Sequence, residues 1–139
     1  MPATWFAQKV AAESSAPGTK SGQTLRIRNI RTHDGLSRFA GDEKRYRHWL
    51  GDFIDYGPRT VVTISKAIDA GDIETAKRMV HSFRGRTSML GMSELHALAM
   101  ALEMTLHNGE PSDYWLADFK ITILATCEDL RQALAPSSN

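Results

Sequence analysis

The stretch HSFRGRTSMLG, residues 81 to 91, puts a histidine, nearby cations and a glycine at helical spacing. Lys77, Arg78 and Arg84 lie four before, three before and three after His81, which makes all three neighbours of its imidazole on a helix. Gly85, four residues on, flanks the ring with no side chain. Ser88 and Met89 follow about two turns below His81. A neutral imidazole is a good nucleophile toward phosphorus, and the phosphoramidate it forms bears oxygen charge that Lys or Arg stabilises. Glycine within a helix costs about 0.5–1 kcal/mol relative to alanine. That cost has a purpose if another protein's active site must close over the histidine. The plainer reading of Lys77, Arg78 and Arg84 is a solvated face.

Other groups offer less. His96, Glu103 and His107 share a helix flank, but their spacing lacks a compact ligand pair for the first histidine, so no metal site is expected. His33 and His48 read as surface residues. Cys127 falls on an apolar stripe and reads as core filling, since a reactive thiol needs exposure and an electropositive setting. No Ser/His/Asp set, paired carboxylates or glycine-rich phosphate loop suggests a hydrolase.

The elements that must position His81 are helical. THDGLSRFAG predicts a short first helix, with Thr32 as cap and Gly41 as stop. Residues 42 to 70 carry Tyr46, Leu50, Phe53, Val61, Ile64 and Ile68 on one face, with Pro58 expected to kink or interrupt the helix. Asp72 caps a helix to about Leu90, facing Ile73, Ala76, Val80, Phe83, Thr87 and Leu90 inward. Counting roughly 100° per residue, His81 lies about 130° from that stripe, toward solvent, and Met89 also points outward. Gly91 stops this helix and Ser93 caps the next, with a stripe of Leu95, Leu98, Ala99, Leu102 and Leu106. After HNGEPSD, a last helix from about residue 113 to 134 buries Leu116, Phe119, Ile123, Cys127, Leu130 and Leu134. Short connections between long amphipathic helices predict an all-α, antiparallel up-down four-helix bundle with a short additional N-terminal helix. If the chain folds back at Gly91 and Met92, Glu103 comes level with His81. There it either orients the ring's Nδ1 or is merely a solvated carboxylate.

Composition sets the outer bounds. The chain has 139 residues, 42% hydrophobic and 24% charged, ordinary for a globular domain. A net charge of +1 argues against a dedicated nucleic-acid binder, and no apolar run is long enough to span a membrane. One cysteine permits no internal disulfide, which makes a reducing cytoplasm the natural compartment. The Ser, Pro and Gly content around ESSAPGTKSGQ marks residues 1–30 as a flexible leader or linker, residues 31–135 as the bundle and 136–139 as a disordered tail.

HSFRGRTSMLG resembles the signature of histidine-containing phosphotransfer (HPt) domains: His, small polar, apolar, Lys or Arg, Gly, mostly small residues, apolar, Gly. His81, Ser82, Phe83, Arg84, Gly85, Leu90 and Gly91 fill those positions, and the likeness extends upstream to GLSRFAGDEKRYRHWLGDF and downstream to Leu102 and Glu103. It implies that Nε2 of His81 accepts a phosphoryl group from a receiver-domain aspartate and passes it to another receiver. Arg84 would then be a phosphoryl-stabilising cation and Gly85 the residue that gives access. Lys77, Ser88 and Glu103 join them as candidate stabilising residues, and Arg78 and Met89 as candidate docking residues. Arg84 stands where lysine is commoner, and Arg86 where a small residue is usual, a departure that bears on partner choice. The implied partners are response-regulator receivers or a hybrid sensor histidine kinase. The chain itself would be a monomeric carrier without a bound cofactor, Mg²⁺ residing on the receiver. A phospho-accepting domain of a chemotaxis-type kinase and a non-phosphorylated adaptor bundle are the alternatives.

Overall fold

Short polar signals divide the chain into helices, and apolar faces then bring those helices together. The computed structural model describes residues 25–136. It contains five helices in chain order: α1, Thr32–Arg38; α2, Glu43–Asp69; α3, Ile73–Leu90; α4, Ser93–His107; and α5, Asp113–Leu134. The side chains of Asp42 and Asp72 accept the backbone N–H groups of Arg45 and Thr75, so each satisfies one of the free donors at a helix start. Gly91 closes α3 in the left-handed region at φ 81°. Its carbonyl accepts Arg31 N–H at 2.8 Å, and a Cβ at this position would strike the Arg31 carbonyl.

Two expected caps are displaced by one residue. Thr32 is the first residue of α1 rather than its cap, because its hydroxyl donates to the Leu25 carbonyl at 2.6 Å. Ser93 is likewise the first residue of α4, with buried Met92 in the cap position. Residues 25–30, read from composition as the end of the leader, contribute Ile27 and Ile30 to the core. The remaining leader, residues 1–24, and tail residues 137–139 lie outside the described residues.

Among the described residues there is no strand, only an isolated bridge between Ile27 and Ile30. The four long helices contact one another in a closed ring: α3 packs on α2 and α4, and α5 packs on the same two. The helix α1 packs on α3 and α2. Inside the ring, Leu50, Phe53, Phe83, Leu102, Phe119 and Ile123 are fully buried. The Phe83 ring meets Phe119 edge-on at 4.9 Å and tilts against Phe53 at 5.6 Å, so the inward side of the histidine helix is anchored by aromatic packing. Burial of each such side chain contributes about 1.5–3 kcal/mol.

Pro58 does not interrupt α2, which continues through it for its full 27 residues. A proline has no N–H, so the carbonyl of Ile54 loses its usual intrahelical donor. Cys127 on α5 fills that gap: Sγ lies 3.7 Å from the Ile54 carbonyl and 4.0 Å from that of Phe53. Burial pushes the Cys127 thiol up to about 11, which keeps the weak S–H donor present at neutral pH. No helix among the described residues is long and apolar enough to cross a membrane.

Candidate functional site

His81 sits mid-way along α3, on a turn whose inward residues Val80 and Phe83 are fully buried. That anchoring turns its own side chain outward, where it is 70% exposed. The turn at Gly91 and the packing of α4 on α3 bring Glu103 beside it. Nδ1 of His81 lies 3.0 Å from Oε2 of Glu103, and Nη1 of Arg84 donates to the other oxygen, Oε1, at 2.7 Å. The Glu103 side chain is 23% exposed. Burial pushes its carboxyl up, but the hydrogen bonds from Arg84 and His81 outweigh that and hold it below the usual glutamate range.

This arrangement assigns the ring proton. An ionised carboxylate only accepts hydrogen bonds, so Nδ1 must carry the hydrogen that points to Glu103. In the neutral ring, Nε2 then holds the lone pair, on a side chain that is 70% exposed. Gly85, one turn on, faces open space: beyond the backbone of its own helix, a Cβ built there meets no atom of the described residues within 4 Å. No packing contact among the described residues therefore requires glycine at this position.

The other residues singled out from the sequence take varied places. Arg84 is committed to Glu103 and is half-buried, with its Nε buried and without a partner among the described residues. Lys77 pairs with Glu74 at 3.3 Å, one turn before His81. Arg78 is exposed and donates to the Thr75 hydroxyl at 3.3 Å, and Ser88 is exposed. Met89 is half-buried against the core rather than standing outward. A face count on an isolated helix omits α1, which docks at the C-terminal end of α3 and changes what is covered there.

Two contributors were not legible as such. Arg86 stacks its guanidinium 4.0 Å over the Tyr56 ring, lies 5.3 Å from that of Trp49 and pairs with Asp52 at 3.1 Å, tying α3 to α2. The signal available was the placement of Trp49, Asp52 and Tyr56 at helical spacing. His96 aims Nδ1 at the carbonyl of Arg84, 3.2 Å away, so it supports the backbone of the same turn. Among the described residues, no group of three His, Cys, Asp or Glu side chains is arranged to hold a metal ion.

An exposed imidazole whose Nδ1 faces a carboxylate, on a helix anchored by buried aromatic packing, suits a group carrier. The Hpt domain family model matches residues 48–135, a stretch that spans most of α2, all of α3 and α4, and α5. The chain belongs to the Hpt domain family, whose members are helical phosphocarrier modules that act in histidine phosphotransfer and interact with receiver domains and kinases in two-component signalling. Comparison with curated proteins and with solved structures gave no match.

Proposed function

We propose that this chain is a phosphorelay carrier in which His81 takes a phosphoryl group from a receiver-domain aspartate and delivers it to another. The observation that carries this reading is the chain of contacts from Arg84 through Glu103 to Nδ1 of His81, which leaves Nε2 as the nucleophilic nitrogen. In the forward step the Nε2 lone pair forms an N–P bond, the acyl-phosphate P–O bond breaks, and the aspartate leaves as a carboxylate. The ring retains its Nδ1 proton and gains positive charge, which the Glu103 carboxylate balances. Arg84 holds Glu103 in place, a positioning role beside the direct stabilisation that the sequence suggested. Lys77, four residues before His81, is close enough in helical register to assist, Ser88 stands about two turns further along the same helix, and the Gly85 gap admits the receiver. Mg²⁺ belongs to the receiver in this scheme, and the carrier works as a monomer, an up-down four-helix bundle in the cytoplasm.

The test uses the full chain with a ³²P-loaded receiver domain and, side by side, a histidine-kinase catalytic domain with labelled ATP. Transfer from the receiver, acid-labile and absent in His81→Gln, is expected. Labelling of that variant at the wild-type level overturns the assignment, and labelling by the kinase domain alone replaces the relay with a direct kinase substrate.

A further inference from the structure

The near-neutral total charge conceals an uneven division. Residues 25–50, which hold α1, the segment before it and the first turns of α2, contain seven Lys or Arg against three Asp or Glu. Residues 51–136 contain eight against twelve. The fold thus sets a basic cap on an acidic bundle. Arg31 and Arg47 engage Asp34 and Glu43. Arg26, Arg28, Lys44 and Arg45 are exposed and make no ion pair among the described residues.

The cap is fastened to the histidine helix. Arg31 N–H reaches the Gly91 carbonyl at 2.8 Å, and the buried Tyr46 hydroxyl donates to the Leu90 carbonyl at 2.7 Å. Leu90 is nine residues beyond His81, so the cap begins about 14 Å along the axis from the imidazole. A protein that buries about 800 Å² per side has a footprint about 30 Å across. Centred on His81, its edge reaches the cap.

We propose that the basic cap is a docking surface for an acidic face of the protein that exchanges the phosphoryl group with His81, an inference that rests on the carrier reading above. A partner active site that holds Mg²⁺ must concentrate carboxylates, which gives it the complementary sign. The cap attracts that face and the acidic remainder of the bundle repels it, so the field turns the partner toward the end of α3 before contact. A lipid surface is a poorer match. The exposed large apolar side chains among the described residues, Val62, Met100, Met104, Tyr114, Ile121 and Leu124, all lie outside residues 25–50, where the large apolar side chains are buried or partly buried against the core. A nucleic acid would meet the acidic bundle along with the cap.

The experiment measures the second-order transfer rate between the full chain and a ³²P-loaded receiver domain that labels His81, at salt concentrations from about 20 to about 500 mM, over which the Debye length falls from about 20 to about 4 Å. Arg26→Gln/Arg28→Gln/Lys44→Gln/Arg45→Gln, checked for unchanged circular dichroism, should transfer at least about tenfold more slowly at low salt, come within about twofold of wild type at high salt, and reach the same final labelling. Replacing the three arginines by lysine should retain the rate. An unchanged rate and salt slope in the glutamine variant overturns the proposal while leaving His81 labelled, whereas failure of the carrier reading removes the label itself. Sedimentation of the wild-type chain with phosphatidylserine vesicles, or retention on duplex DNA, that is lost in the glutamine variant without a change in transfer rate also overturns it.

Discussion

Glu103→Gln probes the most connected atoms of the site. The two carboxylate oxygens serve two donors, Oε2 for Nδ1–H of His81 at 3.0 Å and Oε1 for Nη1–H of Arg84 at 2.7 Å. An amide has one acceptor oxygen, so it satisfies one donor and turns its NH₂ toward the other. Arg84, with its side chain 32% exposed against 70% for His81, has less access to water and keeps the oxygen. The imidazole then loses both its orienting contact and the charge that balances the ring during transfer. A unit charge pair about 4 Å apart is worth about 4 kcal/mol near a protein surface and about 1 in water. The exposure of His81 selects the lower part of that range, about 1–2 kcal/mol, which corresponds to transfer slowed roughly 5- to 30-fold. Rapid-quench measurement of single-turnover transfer reads the rate, and ¹⁵N NMR of the ring reads the tautomer. A rate within twofold of wild type, with the proton still on Nδ1, refutes the orienting role. The same pair has a pH signature. Because the folded pKa of Glu103 is lowered, its contribution to stability is complete above the ordinary value of 4.5 and is lost as pH falls through the lower folded value. Urea titrations of wild type and Glu103→Gln should therefore differ at neutral pH and converge in acid; a gap that widens in acid contradicts that sign.

Gly85→Ala should stabilise the isolated chain by about 0.5–1 kcal/mol, since its Cβ meets open space, while Gly85→Gln slows transfer by filling the approach to Nε2; transfer by the glutamine variant at the wild-type rate removes the access argument. Arg86→Ala should lower stability by about 1–2 kcal/mol in urea unfolding, chiefly through the lost stack on Tyr56, and Arg86→Lys should recover only part of it because an ammonium cannot stack as a plane; full recovery by lysine would reduce Arg86 to its ion pair. Cys127, buried and with its thiol pushed up to about 11, should resist iodoacetamide at pH 8 and react on addition of guanidinium chloride, and rapid alkylation of the native chain would contradict its burial.

The long helices were legible because apolar spacing and aspartate caps agree: Asp42, Asp72 and Gly91 act where their types indicate. So was the level of Glu103, which follows from folding two helices back about a known turn. Features that depend on a third element were not. The Thr32 hydroxyl finds Leu25 instead of a helix N–H, Met89 is half-buried near an end of α3 where α1 docks, and the proline in α2 is tolerated beside a thiol supplied from α5. Arg86 was conspicuous as an unusual residue, but its aromatic partners Tyr56 and Trp49 lie thirty or more positions away, and although they share a helix face with Asp52, nothing in the sequence pattern assigns Arg86 to that face.

Arg84 and Arg86 are two residues apart, so they leave α3 about 200° apart around its axis. One reaches Glu103 on α4 and the other reaches Asp52, Tyr56 and Trp49 on α2. Together they act as opposed stays against roll. A group about 6 Å from a helix axis moves about 1 Å when the helix turns by about 10°, and a displacement of that size can cost a reaction about a hundredfold. Bracing α3 from both flanks converts a lone surface histidine into a fixed target, so a partner that arrives by diffusion finds the nucleophile at the same height and bearing each time.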